Sequence, residues 1–198
     1  MPPAPQAPPQ PEIADPAPLG LAGFALTTFV LSMFNANLVA PAGEAVVLGL
    51  ALAYGGVAQF AAGMWEFRKG NTFGAVAFSS YGAFWISFWA LVHFDVGSIP
   101  AADAGHAIGL YLIAWGIFTA YMWVASFRVS VAVNVVFILL TITFFLLGIG
   151  NAHADMTIVH AGGWFGLATA LAAWYASFAA VTNSTFGKVV LPVMPLRR

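Results

Sequence analysis

Six stretches of this chain are almost wholly apolar, and short polar breaks separate them. They run at about Leu19 to Ala40, Ala45 to Phe67, Asn71 to Phe94, Ala104 to Phe127, Val129 to Asn151 and Met156 to Thr182, each long enough for the roughly 20 residues that a bilayer-spanning helix needs. None contains a proline. Pro41, Pro100, Pro192 and Pro195 fall in the breaks or the tail, as expected if helix interiors avoid the lost hydrogen bond. No Asp, Glu, Lys or Arg stands in the middle of a run, and Glu44 and Glu66 sit at run ends. The pattern predicts an all-α membrane protein, a six-transmembrane-helix bundle. It divides into a Pro-rich flexible segment 1–18, a transmembrane domain 19–187 and a short basic tail 188–198.

Inside so apolar a chain the polar positions carry the functional signal, because a hydroxyl or amide in the hydrocarbon layer needs a partner or a wet cavity. Phe24, Thr28, Leu31 and Asn35 in the first run share one helical face by their spacing, and Leu140, Phe144, Leu147 and Asn151 repeat the scheme in the fifth. Read functionally, these faces line a narrow pathway with apolar constrictions and amide mouths. Read structurally, they are helix contacts with one interhelical hydrogen bond each. Gln59, in the Y-G-G-V-A-Q that begins at Tyr54, suits a passing carboxylic acid or a neighbouring backbone carbonyl equally. In the third run Ser79, Ser80 and Tyr81 stand together near the middle. Tyr81 offers a ring to narrow a pore and a hydroxyl to touch a solute, against ordinary packing beside Phe84, Trp85 and Phe88.

Composition sharpens this. Of 198 residues 61% are hydrophobic and 7% charged, against roughly 25% charge in soluble globular chains, which excludes an ordinary soluble domain. A net charge of -1 carries no nucleic-acid signal, and no nucleic-acid partner is expected. The absence of cysteine removes disulfides, thiolate metal sites and thiol nucleophiles. The first residues lack the basic start of a secretory signal, so the first run is read as a retained helix. Asp15, or a neighbour, is placed to cap it.

Charge then orients the bundle. Arg68 and Lys69 join runs two and three, Arg128 joins four and five, and Lys188, Arg197 and Arg198 follow run six, while the opposite breaks hold Glu44, Asp95, Asp103 and Asp155. Basic loops stay cytoplasmic, so both termini are expected in the cytoplasm and the protein in the plasma (inner) membrane, multi-pass. Gly70 and Gly74, Gly105 and Gly109, and Gly162 and Gly166 have the spacing that lets helices approach closely, within a subunit or between subunits.

His160, just inside the last run, reads as a proton relay or as a hydrogen-bonded helix-start residue, the second being favoured. His93, His106 and His153 cluster at run ends on the acidic side. A metal or haem site there is the weaker reading, and neither metal nor cofactor is expected.

From Asn71 to Trp85 the chain reads N-T-F-G-A-V-A-F-S-S-Y-G-A-F-W. The block resembles the F-G-x-x-A-F-x-S-Y-G-x-F-W signature of the acetate uptake transporter family, also called the succinate–acetate permease family. The likeness extends to D-P-A-P-L-G-L from Asp15, Y-G-G-V-A-Q, I-G-N from Ile149 and H-A-G-G-W-F-G from His160. The family's opening motif usually begins with Asn where this chain has Asp15, which keeps the capping role and adds a negative charge near the expected cytoplasmic mouth. The resemblance implies a homo-hexamer of six-helix protomers in the lipid bilayer, each with its own path for acetate and in some members succinate. It also implies a pore pinched by a phenylalanine, a tyrosine and a leucine that match Phe24, Tyr81 and Leu140; the residue pattern itself offers Thr28, Asn35, Gln59, Ser80 and Asn151 as the polar lining of such a path. Transport as a proton-coupled carrier or an anion channel, and no enzymatic activity, is the expectation. A urea or amide channel is the alternative in the same class, and a membrane anchor subunit of an enzyme or redox complex the alternative from another.

Overall fold

In the computed structural model residues 13–196 are described; residues 1–12 of the Pro-rich segment, and Arg197 and Arg198, lie outside the described residues. Six helices long and apolar enough to cross a membrane make up the described chain: α1 (Ala17–Asn35), α2 (Val46–Lys69), α3 (Thr72–Ser98), α4 (Ala101–Ser126), α5 (Val131–Ala152) and α6 (Met156–Phe186). Each matches one apolar run, with shifts at the ends that local chemistry explains. The first run leaves its helix before Ala40 because Asn37 turns the chain out at φ 56° and Pro41 opens a short 3-10 turn. The last helix continues past Thr182 to Phe186 and stops at Gly187, whose φ of 63° few other residues adopt.

Side chains fix the helix starts. The Asp15 carboxylate accepts from Ala17 N at 3.0 Å and pairs with Lys69 Nζ at 2.8 Å, so the residue expected to cap α1 also ties its start to the end of α2. The Asn71 side chain accepts from Gly74 N at the start of α3, Ser130 accepts from Val133 N at the start of α5, and Asp155 accepts from Thr157 N and Ile158 N at the start of α6.

The helices form a ring in chain order. Backbones lie close at the seams between α2 and α3, α4 and α5, α5 and α6, and α6 and α1, and α2 packs on α1 mainly through its middle and second half. Between α3 and α4 the contact is made by large side chains: Tyr81 donates to Thr119, Tyr111 and Ser87 hydrogen-bond each other, and Trp115 packs edge-on against Phe84. Ser177 donates to the Pro18 carbonyl at 2.7 Å, tying α6 to the start of α1. The basic residues Arg68, Lys69 and Arg128 collect at one end of the ring and Glu44, Asp95, Asp103 and Asp155 at the other. These are called the basic and acidic ends below.

Glycines make the close seams. A Cβ on Gly109 would lie 2.7 Å from the Ala152 Cβ and 2.8 Å from the Gly148 carbonyl, and one on Gly105 would meet the Asn151 carbonyl at 2.7 Å, so this pair serves the α4–α5 contact within one chain. Gly162 faces Leu147 of α5, and Gly166 lies against Ser32 of α1. The pair Gly70 and Gly74 divides: Gly74 is packed, but Gly70 has open space around it and φ 77°, and its work is to end α2. A regular helix does not run the length of α2 either. Residues Ala53–Ala58, the heart of Y-G-G-V-A-Q, form a π-turn. The extra residue in that turn rotates everything after it relative to an ideal α-helix.

The segment after α6 is strapped back onto the start of α5. The Asn183 side chain accepts from Val190 N and Leu191 N and donates to the Leu191 carbonyl, Tyr175 donates to the Pro192 carbonyl, and Val131 N donates to the Met194 carbonyl at 2.9 Å.

Adding a methyl group at a packed seam forces the helices apart, which in a filled core costs about 1–3 kcal/mol. Gly109→Ala is therefore expected to lower the melting temperature of the detergent-solubilised protein. Gly49→Ala, at a helical position with nothing within 4 Å, leaves it unchanged or raises it slightly.

Candidate solute pathway

Along the axis of the ring three hollows follow one another. The first, at the basic end, is an open entrance bounded by Lys69, Asn71, Phe73 and Val129. It shares Asn71, Phe73 and Val129 with an inner cavity of about 90 Å³. Beyond that lies an outer cavity of about 180 Å³ that reaches Glu44 at the acidic end. Since roughly 10–15 Å³ of such space holds one water, both cavities are roomy enough for solvent or a small solute.

Phe24 and Leu140 stand in the walls of both the inner and the outer cavity, and Tyr81 lines the inner cavity. The three sequence-predicted constriction residues thus come together where the cavities meet, one each from α1, α3 and α5. All three are at most 4% exposed. The Phe24 and Tyr81 ring centres are 5.7 Å apart at 53°, and Phe137 of α5 backs Tyr81 at 6.0 Å. Tyr81 is held from behind as well. Its hydroxyl donates to Thr119 Oγ1 at 2.9 Å, and Thr119 in turn donates to the Trp115 carbonyl at 2.7 Å. The hydroxyl is thus a buried phenol with a partner on α4, and Tyr81 is also in the wall of the inner cavity.

Both helical stripes read from spacing line the outer cavity in full: Phe24, Thr28, Leu31 and Asn35 from α1, and Leu140, Phe144, Leu147 and Asn151 from α5. Asn151 Nδ2 donates to the Leu147 carbonyl one turn back. Thr28 Oγ1 is buried without a hydrogen-bond partner, and so is Gln59 Oε1 in the wall of the inner cavity. A neutral polar group is therefore found on each side of the Phe24–Leu140 junction. At the acidic mouth, burial pushes the Glu44 carboxyl above its ordinary value.

Two candidates stand apart from this set. Ser80 and His160 are each half-buried and belong to the wall of neither cavity. His93 stacks face to face on Trp89, and no group of three metal-ligating side chains occurs among the described residues.

Several wall residues were not singled out from the sequence. On α5 the inner cavity is lined by Val133, Val136 and Phe137, which extend the Leu140 stripe backwards at the same spacing of three and four, and Val129 joins them from the turn before the helix. On α1, Ala17 and Leu21 extend the Phe24 stripe in the same way. Only the period marked them, because purely apolar residues look the same whether they face a cavity or lipid. In the outer cavity Ser32, Val92 and Thr143, with Ile108 and Leu112 of α4, are further wall residues not singled out. Glu66, read as a helix-end charge, is fully buried.

The chain is 40% identical over 182 residues to the Escherichia coli succinate-acetate/proton symporter SatP, covering 92% of this chain and 96% of that one. It is 41% identical over 197 residues to acetate permease A of Emericella nidulans, covering 92% of this chain and 66% of the relative. The solved structure of the bacterial acetate channel SatP superposes with a TM-score of 0.86 at 39% identity, covering 92% of this chain and 99% of that chain. A family model matches residues 1–198 from end to end, and with these relatives it establishes that the chain belongs to the GPR1/FUN34/yaaH family.

Proposed function

We propose that this protein carries acetate, and small carboxylates like it, across the plasma (inner) membrane along the axis of the ring, through the junction of Phe24, Tyr81 and Leu140. The observation that carries this reading is the meeting of the two cavities at those three side chains, in a chain whose relatives are an acetate permease and a succinate-acetate/proton symporter. The basic end faces the cytoplasm, by the positive-inside bias of Arg68, Lys69, Arg128 and Lys188, and solute from outside meets the outer cavity first.

Charge sets the mechanism. An unpaired carboxylate in a dry, low-dielectric waist costs several kcal/mol after relaxation, and no wall residue of the junction is a cation. The solute gathers in the outer cavity among Thr28, Asn35 and Asn151, sheds most of its water, passes the apolar waist in its neutral form, and meets Gln59 on the far side. A urea molecule would also suit an uncharged waist. What favours a carboxylic acid is the set of relatives. The protein assembles as a homo-hexamer with one path per protomer, an expectation taken from the family resemblance. The broad apolar outer faces, such as Leu110, Ile117, Tyr121 and Val124 on α4, supply surface for lipid or neighbouring copies. Native mass spectrometry of the mildly extracted protein is expected to show six copies, and a monomer contradicts the assembly.

In proteoliposomes, external acidification raises the neutral fraction of a carboxylic acid by about tenfold per pH unit while the pH stays above its pKa. Initial acetate entry is expected to climb with it, and entry indifferent to external pH contradicts the mechanism. Widening the waist by Phe24→Ala or Leu140→Ala lets larger monocarboxylates such as butyrate compete, and a barrier change of about 1.4 kcal/mol alters their flux about tenfold. Tyr81→Phe keeps acetate flux within about twofold, less than 0.5 kcal/mol of barrier, because it removes a hydroxyl committed to Thr119. Tyr81→Ala changes both rate and selectivity. Equal effects of the two Tyr81 changes would show that the hydroxyl, and not the ring, meets the solute.

A further inference from the structure

Among the described residues one carboxyl group is fully enclosed. Glu66 is 0% exposed, and the polar side chain that faces its carboxylate is the neutral amide of Asn71. It lies on the same face of α2 as Gln59, seven residues and two turns earlier, and Gln59 is 1% exposed with its own side-chain oxygen unpartnered. This face, which also holds Ala62 and Gly63, is the buried one.

The surroundings of Glu66 place it directly behind the wall of the inner cavity. A Cβ on Gly74 would lie 2.8 Å from Glu66 Cδ and 2.6 Å from Asn71 Nδ2, and Gly74 and Asn71 both line that cavity. Because Gly74 has no side chain, little besides its backbone and the Asn71 amide separates the carboxyl from the hollow. The glycine of the F-G-x-x-A-F block thereby acquires a specific task, since any larger residue would occupy the space of the carboxyl. Two charged groups act on Glu66, Lys69 on its own helix and Asp15 ahead of α1, and these are already paired with each other at 2.8 Å. From α3 it meets a neutral amide and a glycine.

Enclosing a carboxyl this way without a dedicated cation is expensive for stability, and the fold has a use for it next to a cavity through which acids pass. We infer that Glu66 is the proton-exchange site of this transporter, on the basic-end side of the waist. The inference rests on the acetate reading of the pathway and gives it a proton route. Acetic acid reaches the inner cavity neutral, its proton passes to the Glu66 carboxylate across the gap left by Gly74, and acetate leaves through the entrance beside Lys69. Glu66 then returns the proton to water at that entrance, so one proton and one acetate reach the basic-end side and the carboxylate is regenerated. The protein's waist sets which acids cross, and Glu66 links the crossing to the pH on the far side.

That link separates Glu66 from the solute's own ionisation, which responds to pH on the side of entry. In proteoliposomes with the basic end inward and the outside fixed at pH 5, initial labelled-acetate entry into acetate-free vesicles is measured as internal pH is raised from 5 to 7, with protein-free vesicles subtracted. The wild type is expected to accelerate as the deprotonated fraction of its proton site grows, by up to about tenfold per unit on the steep limb, and Glu66→Gln to be flat. A flat wild type, or a Glu66→Gln protein that accelerates like it, overturns the assignment. Should Glu66→Gln fail to assemble, Glu66→Asp withdraws the carboxyl by one methylene, and the midpoint of the internal-pH response is expected to move; an unmoved midpoint also overturns it. Infrared difference spectra between pH 5 and pH 8 supply a readout independent of transport, with a carboxylic-acid carbonyl band that Glu66→Gln removes. If the wild type carries no acetate the pathway reading fails, and the infrared band alone then decides whether Glu66 holds a proton.

Discussion

The structure turns on a contact between three uncharged side chains: Phe24, Tyr81 and Leu140 occupy the place where an inner and an outer cavity share a wall. A junction of this kind works only if each group is held, because an aromatic ring free to swing would open or plug the passage at random. Tyr81 is held at both ends. Its ring packs among Phe24, Phe118 and Phe137, and its hydroxyl is spent on Thr119, which is itself anchored to the Trp115 carbonyl. The three residues come from alternate helices of the ring. The helices between them, α2 and α4, act as supports, one contributing the buried Gln59–Glu66 face and the other the Thr119 and Trp115 brace.

Glycine makes this arrangement possible where bulk would forbid it. The seams between α4 and α5 and between α6 and α1 close on Gly109 and Gly166, so the backbones approach and the large side chains are left to fill the axis and the α3–α4 contact. Aromatic residues gather there: Phe84 touches Trp85, Phe88, Tyr111, Trp115 and Phe144. The same economy of polar groups governs the cavities. Between Glu44 at one mouth and Lys69 at the other, the polar groups beside the junction are amides and hydroxyls, so a small acid meets hydrogen-bonding partners before and after the dry step and no fixed charge at the step itself.

Much of this was legible in the sequence for definite reasons. Charges and prolines are excluded from helices in lipid, so six helices stood out as apolar runs, and their basic and acidic breaks sorted to opposite ends of the ring. The two stripes of α1 and α5 were visible because an asparagine ended each, and the structure sets all eight residues around one cavity. Where the stripes continue toward the basic end, as Leu21, Val133 and Phe137, no polar residue marked the cavity face and spacing was the sole clue. The π-turn over Ala53–Ala58 was hidden because hydrogen-bond register leaves no compositional trace. Glu66 was misread for a related reason. A carboxylate one turn from a basic helix end looks like a solvated cap, and only the tertiary contact with Gly74 and Asn71 reveals that it is enclosed. Ser80, which sequence placed on the pathway with Tyr81, points elsewhere because adjacent residues on a helix lie about 100° apart.

The central claim is that one axis joins two cavities and that the Phe24–Tyr81–Leu140 junction is the barrier between them. The chain contains no cysteine, so single cysteines at Asn35 and Asn71, one in the wall of each cavity, can be probed without background by a charged, membrane-impermeant thiol reagent. Asn35→Cys is expected to react from the acidic-end side alone, Asn71→Cys from the basic-end side alone, and either modification to stop acetate flux. Reaction of one position from both sides, or full flux after complete modification of either, would contradict the account.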